Sequence, residues 1–125
     1  YPQGAYLAVD SAVGSLIDFY NVQFYNQDDS AYETCETLFY KSDGWATQSS
    51  VFQIAAQGVA LNKIVIGKPV TAKGVDSGST GYVDTATLQS CISQAVSNGW
   101  SAGVMGWRFG LDTQGQWAAA LAPAF

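Results

Sequence analysis

Three side chains able to grip a polar ligand, Asn21, Gln23 and Tyr25, stand at alternate positions in a run whose other alternates are Tyr20, Val22 and Phe24. The run is β-favouring, and successive side chains of a strand point to opposite faces. Two amides and a phenol therefore share one face, and a greasy set shares the other. A strand covered by helices on its apolar side, with polar groups opposite near its C-terminal end, suits the wall of an α/β barrel, whose active sites gather there. The same pattern suits hydrogen-bonded structural residues inside an antiparallel sheet, with no ligand at all.

The rest of the composition narrows the chemistry. There is no histidine, and Cys35 and Cys91 lie far apart, so a zinc site has little to be built from and no metal or cofactor is expected. A net charge of −5, with Lys41, Lys63, Lys68, Lys73 and Arg108 scattered along the chain, leaves no phosphate-binding stripe. Nucleic acid and anionic membrane are poor partners on that ground. Seven Tyr, six Phe and four Trp exceed what a small core needs, and rings with a polar edge are useful where sugar faces stack.

At 125 residues, 48% hydrophobic and 12% charged, the chain is expected to form one globular unit, residues 1–125. No run of about 18 apolar residues is present to span a bilayer, and the N-terminus lacks the basic-then-apolar pattern of a signal peptide. The chain reads as if already processed. An even cysteine count in an acidic chain rich in Ser, Thr and Gly points to a secreted protein with one disulfide.

The elements that must position the polar face follow in order. Residues 1–14 read as a connector, with a short apolar piece over 5–9 and Asp10 capping a brief helix that ends near Gly14. The strand over residues 19–24 comes next, then a loop over 27–44 with a short helix inside it, suggested by Tyr32, Cys35 and Phe39. Val51, Ile54 and Ala55 recur at helical spacing within 45–57, before Gly58. Lys63-Ile64-Val65-Ile66-Gly67 is continuously apolar past its lysine and β-branched, and fits a parallel strand buried on both faces. Residues 71–82, with Gly74, Gly78 and Gly81, read as a long surface loop that matches no phosphate-binding spacing.

The clearest helix runs over 85–98. Leu88, Cys91, Ile92, Ala95 and Val96 form one stripe, Asp84 or Thr85 caps the start, and Gly99 ends it. A third strand over 102–107 places Gly103, Met105 and Trp107 on one face, with Gly106 leaving room on the other. A last helix over 112–122 sets Trp117 and Leu121 one turn apart. Alternating strands and helices imply parallel strands joined by right-handed crossovers.

Four motifs in this order and spacing, Val22-Gln23-Phe24-Tyr25-Asn26, Ile64-Val65-Ile66-Gly67-Lys68-Pro69, Gly81-Tyr82-Val83 and Gly103-Val104-Met105-Gly106-Trp107, resemble the last three strand–helix units of glycoside hydrolase family 18. These are the chitinases and endo-β-N-acetylglucosaminidases, in the flavour of plant class III and fungal members. The resemblance covers nearly the whole chain and implies an α/β fold, a parallel-sheet fragment corresponding to about half of a (β/α)₈ TIM barrel. A complete barrel needs about 250 residues, and three strands alone leave two edges unpaired. The partner it implies is an N-terminal half-barrel chain, or a second copy.

The resemblance also assigns roles. Tyr25 matches the tyrosine whose hydroxyl helps hold the substrate's N-acetyl group for attack on the sugar's own anomeric carbon. Gln23 matches a glutamine that hydrogen-bonds the sugar. Trp107 matches the tryptophan that floors the subsite beside the scissile bond, preceding a cis peptide to Arg108. Asn26, beside Tyr25, and Met105, on the face of Trp107, complete the candidate substrate-binding set. Consecutive barrel helices lie side by side, which suggests Cys35–Cys91 as the disulfide.

One departure stands out. The family's acid lies in an Asp-x-x-Asp-x-Asp-x-Glu pattern absent here, and Glu33 and Glu36 follow no spaced aspartates. Substrate assistance removes the need for an enzyme nucleophile, not for a protonating carboxyl group. The expected function is thus a fragment of an enzyme hydrolysing β-1,4-linked N-acetylglucosamine, in chitin or N-glycan cores, that binds sugar but lacks the acid. The alternatives are a non-catalytic carbohydrate-binding protein derived from the barrel, and a structural or defence protein whose barrel motifs persist only as core.

Overall fold

In a computed structural model, residues 4–27, 32–42, 44–76 and 79–125 are described. Three strands, β1 (Tyr20–Gln23), β2 (Ile64–Pro69) and β3 (Val104–Trp107), form one parallel sheet in that order. Tyr20 pairs with Ile64 and Gln23 with Gly67, while Ile66 pairs with Val104 and Pro69 with Trp107. The middle strand is buried along its whole length, as its unbroken apolar run requires.

Helices α1 (Ala5–Val13), α2 (Val51–Ala56), α3 (Thr85–Ser97) and α4 (Gln116–Leu121) alternate with the strands. The start of α3 is fixed by Asp84, whose carboxylate accepts from the Thr87 amide at 3.0 Å, and its end by Gly99 at φ 92°. Helix α2 is shorter than the spacing predicts. Gln48 takes a positive φ of 63°, and Ser50 is the N-cap, its amide donating to the Gln53 side chain at 3.3 Å, so only Val51 onward is helical. Helix α4 begins later than 112 for a similar reason. Asp112 lies a turn ahead of it and accepts from the Trp117 amide at 2.8 Å.

The core lies under one face of the sheet. Tyr20, Val22 and Phe24 of β1 and its continuation, with Ile64 and Ile66 of β2, meet Leu88, Cys91, Ile92 and Ala95 of α3, together with Val51, Leu38 and Phe39. Trp100 is fully buried at 5.1 Å from the Phe39 ring, its indole N–H donating to the Ile64 carbonyl at 2.8 Å. Burying each large aliphatic side chain of this set contributes about 1.5–3 kcal/mol. Cys35 and Cys91 are disulfide-bonded with Cα atoms 4.8 Å apart, tying the loop after β1 to the buried stripe of α3.

The connections depart from the sequence pattern in two places. Asp10 does not cap a brief helix; it sits inside α1, and its carboxylate accepts from the Tyr20 hydroxyl at 2.6 Å. Residues 71–82 are not simply a surface loop, since Gly74, Gly81 and Val83 just beyond are buried. Gly78 lies outside the described residues.

Opposite the core, the sheet is open. Phe19, Asn21 and Gln23 are exposed there, and a cleft of about 400 Å³ lined by Phe19, Asn21, Val65, Gly103 and Met105 runs along the N-terminal halves of the strands. Helix α1 buries no residue: Tyr6, Val9 and Val13 form an exposed apolar stripe at helical spacing, and Leu16 just past its end is exposed as well. No described helix is long and apolar enough to cross a membrane.

Candidate functional site

Strand β1 ends at Gln23, two residues before Tyr25. The Phe24 amide makes the last ladder bond, to the Gly67 carbonyl at 3.1 Å, and the chain then leaves the sheet. Gln23 and Asn21 do share the open face, but Tyr25 lies past the strand, so the turn rather than strand parity aims it. Tyr25 is buried, and its ring stacks on Trp107 with centroids 6.3 Å apart and planes at 26°. Trp107 remains 46% exposed, which leaves ring surface for a ligand. The Trp107–Arg108 peptide is cis.

The turn is held from several sides. Gln23 and Gln27 donate their side-chain amides to the Tyr25 carbonyl at 3.2 and 3.3 Å. Asn26 takes φ 55°, a left-handed conformation tolerated by asparagine. Its amide N–H donates to the Thr80 carbonyl at 2.9 Å, and its side chain makes a reciprocal pair with Asp76, at 2.8 Å to the carboxylate and 3.0 Å from the Asp76 amide. The Asn26 side chain is thus engaged in shaping the loop. Gly81 has φ 105°, and a Cβ there would overlap the α-carbon of Tyr25 and lie 2.7 Å from its Cβ, so only glycine permits this approach. Burial, and secondarily the nearby Asp76 carboxylate, raise the Tyr25 pKa, which keeps the phenol a proton donor.

Met105 lies on the open face as expected. Gly67 makes room for it, since a Cβ there would stand 2.7 Å from the Met105 methyl. Across the sheet, a Cβ at Gly106 would meet the Trp117 ring at 2.8 Å, as the room on that side requires. Tyr25 and Trp107 therefore meet past the C-terminal ends of β1 and β3, while Gln23 and Met105 lie on the open face of those strands.

Neither glutamate serves this surface as a free acid. Glu33 accepts from the Gly81 amide at 2.9 Å, and Glu36 starts the π-helical turn Glu36–Tyr40. Among the described residues no group of three or more His, Cys, Asp or Glu side chains could hold a metal.

Two residues near the site escape a reading by pattern. Asp76 lies in a Gly- and Ser-rich stretch that gives it no pattern. Lys68 is in sequence one of five scattered cations, yet it is fully buried, its ammonium donating to the Phe24 and Tyr32 carbonyls at 2.8 Å each. A lysine followed by proline inside an apolar strand is the signal that could have found it.

Burial lowers the Lys68 pKa from 10.5 to about 7, with Glu33 opposing the shift. The unfolded chain keeps this proton up to about 10.5 and the folded chain releases it near 7, so between those values unfolding takes up a proton. Stability from this group therefore rises with pH across that window and is lost as pH falls through it. The Tyr20 phenol, pushed up to about 12 by its hydrogen bond to Asp10, opposes the trend only above pH 10. We expect the urea midpoint to climb between pH 7 and 9.5; a flat or falling midpoint would contradict the burial of the ammonium.

A parallel three-stranded sheet covered by helices, with an aromatic pair at the C-terminal ends of its strands, defines an α/β class of protein. Over 96% of its length the chain matches a GH18 chitinase from Pseudoalteromonas aurantia, with a TM-score of 0.75 and 26% identity. It matches a fungal endo-β-N-acetylglucosaminidase from glycosyl hydrolase family 18 over the same 96%, with a TM-score of 0.65 and 26% identity. The chain spans 39% and 38% of those two proteins. No protein-family model and no curated protein matches it. The structural likeness relates the chain to family 18 glycoside hydrolases.

Proposed function

We propose that the chain is the C-terminal part, about half, of a secreted family 18 type barrel of the fungal or class III kind, acting on β-1,4-linked N-acetylglucosamine by the substrate-assisted retaining route. The observation that carries this reading is the Tyr25–Trp107 pair, a half-exposed indole stacked beside a protonated phenol at the C-terminal end of the sheet. The indole supplies a floor for a sugar ring, and the Tyr25 hydroxyl and Gln23 amide supply polar contacts to an N-acetyl group and a hydroxyl. Met105 extends the apolar floor, and Asn26 shapes the turn.

The preceding part of the barrel supplies the acid. Its place on this chain is the open sheet face together with the apolar stripe of α1, surface that a stable soluble protein rarely leaves uncovered. The chain's 39% share of the matched chitinase is the length such a completion implies. The disulfide fits an extracellular setting.

Titration with chitotriose, followed by calorimetry, tests the site. Trp107→Ala is expected to weaken binding about tenfold or more, equal to about 1.4 kcal/mol. Unchanged affinity in that variant would remove Trp107 from the site.

A further inference from the structure

Strand β2 contains a proline where its neighbour needs a donor. In a parallel ladder, a residue whose amide donates to one residue has its carbonyl served by the amide two positions further on. The Phe24 amide donates to Gly67, so the donor that would continue the ladder to its carbonyl is the amide of residue 69, and Pro69 carries no hydrogen there. Odd-numbered residues of β2 face β1 here, because Val70 turns its own amide to the Trp107 carbonyl of β3 at 2.7 Å. The carbonyl left without a ladder donor belongs to buried Phe24, and leaving such a group unpaired is costly.

The Lys68 side chain fills that role. It leaves β2 on the core side with Ile64 and Ile66, all fully buried, and its Nζ reaches the Phe24 carbonyl at 2.8 Å. The same nitrogen holds the Tyr32 carbonyl, and the adjacent Glu33 carboxylate holds the Gly81 amide, whose α-carbon backs Tyr25. We propose that Lys68 is a positioning residue: it replaces the strand bond that Pro69 cannot make, fixes the carbonyl that precedes Tyr25, and so aims the Tyr25 ring at Trp107. As a contribution to sugar binding this rests on the reading of that pair as the sugar site. A neutral amine keeps two N–H groups, so both carbonyl bonds survive deprotonation.

The test is a double-mutant cycle read by the Trp107 indole resonance in a ¹H–¹⁵N spectrum, with the buried Trp100 indole as internal control. Tyr25→Ala should shift the Trp107 signal, Lys68→Met should shift it as well, and Lys68→Met should add nothing in the Tyr25→Ala background. Pro69→Ala returns an N–H to the Phe24 carbonyl, so Lys68→Met with Pro69→Ala should bring the signal back toward its original position. If Lys68→Met alone does not fold, recovery of folding by Pro69→Ala supports the proposal, and failure of the double variant to fold overturns it. A Trp107 signal indifferent to Lys68→Met, or shifts that simply add, also overturns it. In parallel, chitotriose affinity should fall at least tenfold in Lys68→Met. If the spectra show the clamp but Tyr25→Ala, Trp107→Ala and Lys68→Met all leave affinity unchanged, the clamp stands and the sugar-site reading fails.

Discussion

Replacing both Cys35 and Cys91 with alanine is expected to lower the unfolding free energy by about 4 kcal/mol. The bridge closes a loop with a sequence separation of 56, and cross-linking removes loop-closure entropy from the unfolded chain that grows with the logarithm of that length. Cys91 is buried on the inner stripe of α3, so the alanine there also gives up packing against Leu88 and Ile92. Against a total stability typically of about 5–15 kcal/mol, such a loss is a large fraction. Urea unfolding of the double variant and the parent, both at pH 7, measures it. A midpoint lowered by less than about 1 kcal/mol equivalent would mean that the turn Glu36–Tyr40 and its buried Leu38 and Phe39 hold the loop on α3 without the bridge.

The architecture was legible wherever one simple period ruled. The stripe through Leu88, Cys91, Ile92 and Ala95 gives α3 almost to the residue, and the run from Ile64 onward gives the buried middle strand. Strand alternation separates Asn21 and Gln23 from Tyr20, Val22 and Phe24 correctly. It gives no information about Tyr25, because the strand has ended and a turn held by Lys68, Asn26 and Gly81 decides where the ring goes.

What stayed hidden depends on contacts remote in sequence. Lys68 reads as a surface cation until the carbonyls of Phe24 and Tyr32, 44 and 36 residues away, are seen to surround it. Asp76 gains meaning only from its pairing with Asn26 across 50 residues. Helix α2 is shorter than its apolar spacing suggests for a local reason: Gln48 and Ser50 set the backbone outside helical geometry, and spacing cannot register that. The polar residues near the site are the hardest to read because each is satisfied by a backbone group, and backbone groups leave no signature in composition.

The isolated chain is expected to release no product from chitotetraose above a buffer control. Substrate assistance lets the acetamido oxygen attack the anomeric carbon, but the departing sugar oxygen still has to receive a proton, and a positioned general acid contributes about 10²–10⁴-fold. Tyr25 stays protonated, and a phenol with a raised pKa is a poor acid for an alkoxide. Glu33 is committed to the Gly81 amide behind the site, and Glu36 lies in the turn that leads from the disulfide. Fusing or mixing the chain with a preceding half-barrel that carries the Asp-x-x-Asp-x-Asp-x-Glu pattern should raise the rate by at least a hundredfold, and Trp107→Ala in the assembled protein should lower it. Turnover by the pure chain of 125 residues, abolished by Glu33→Gln, would instead place the acid on this chain and overturn its assignment to the preceding part. Chitotriose binding by a chain that gains no activity from any such partner would favour the non-catalytic carbohydrate-binding reading.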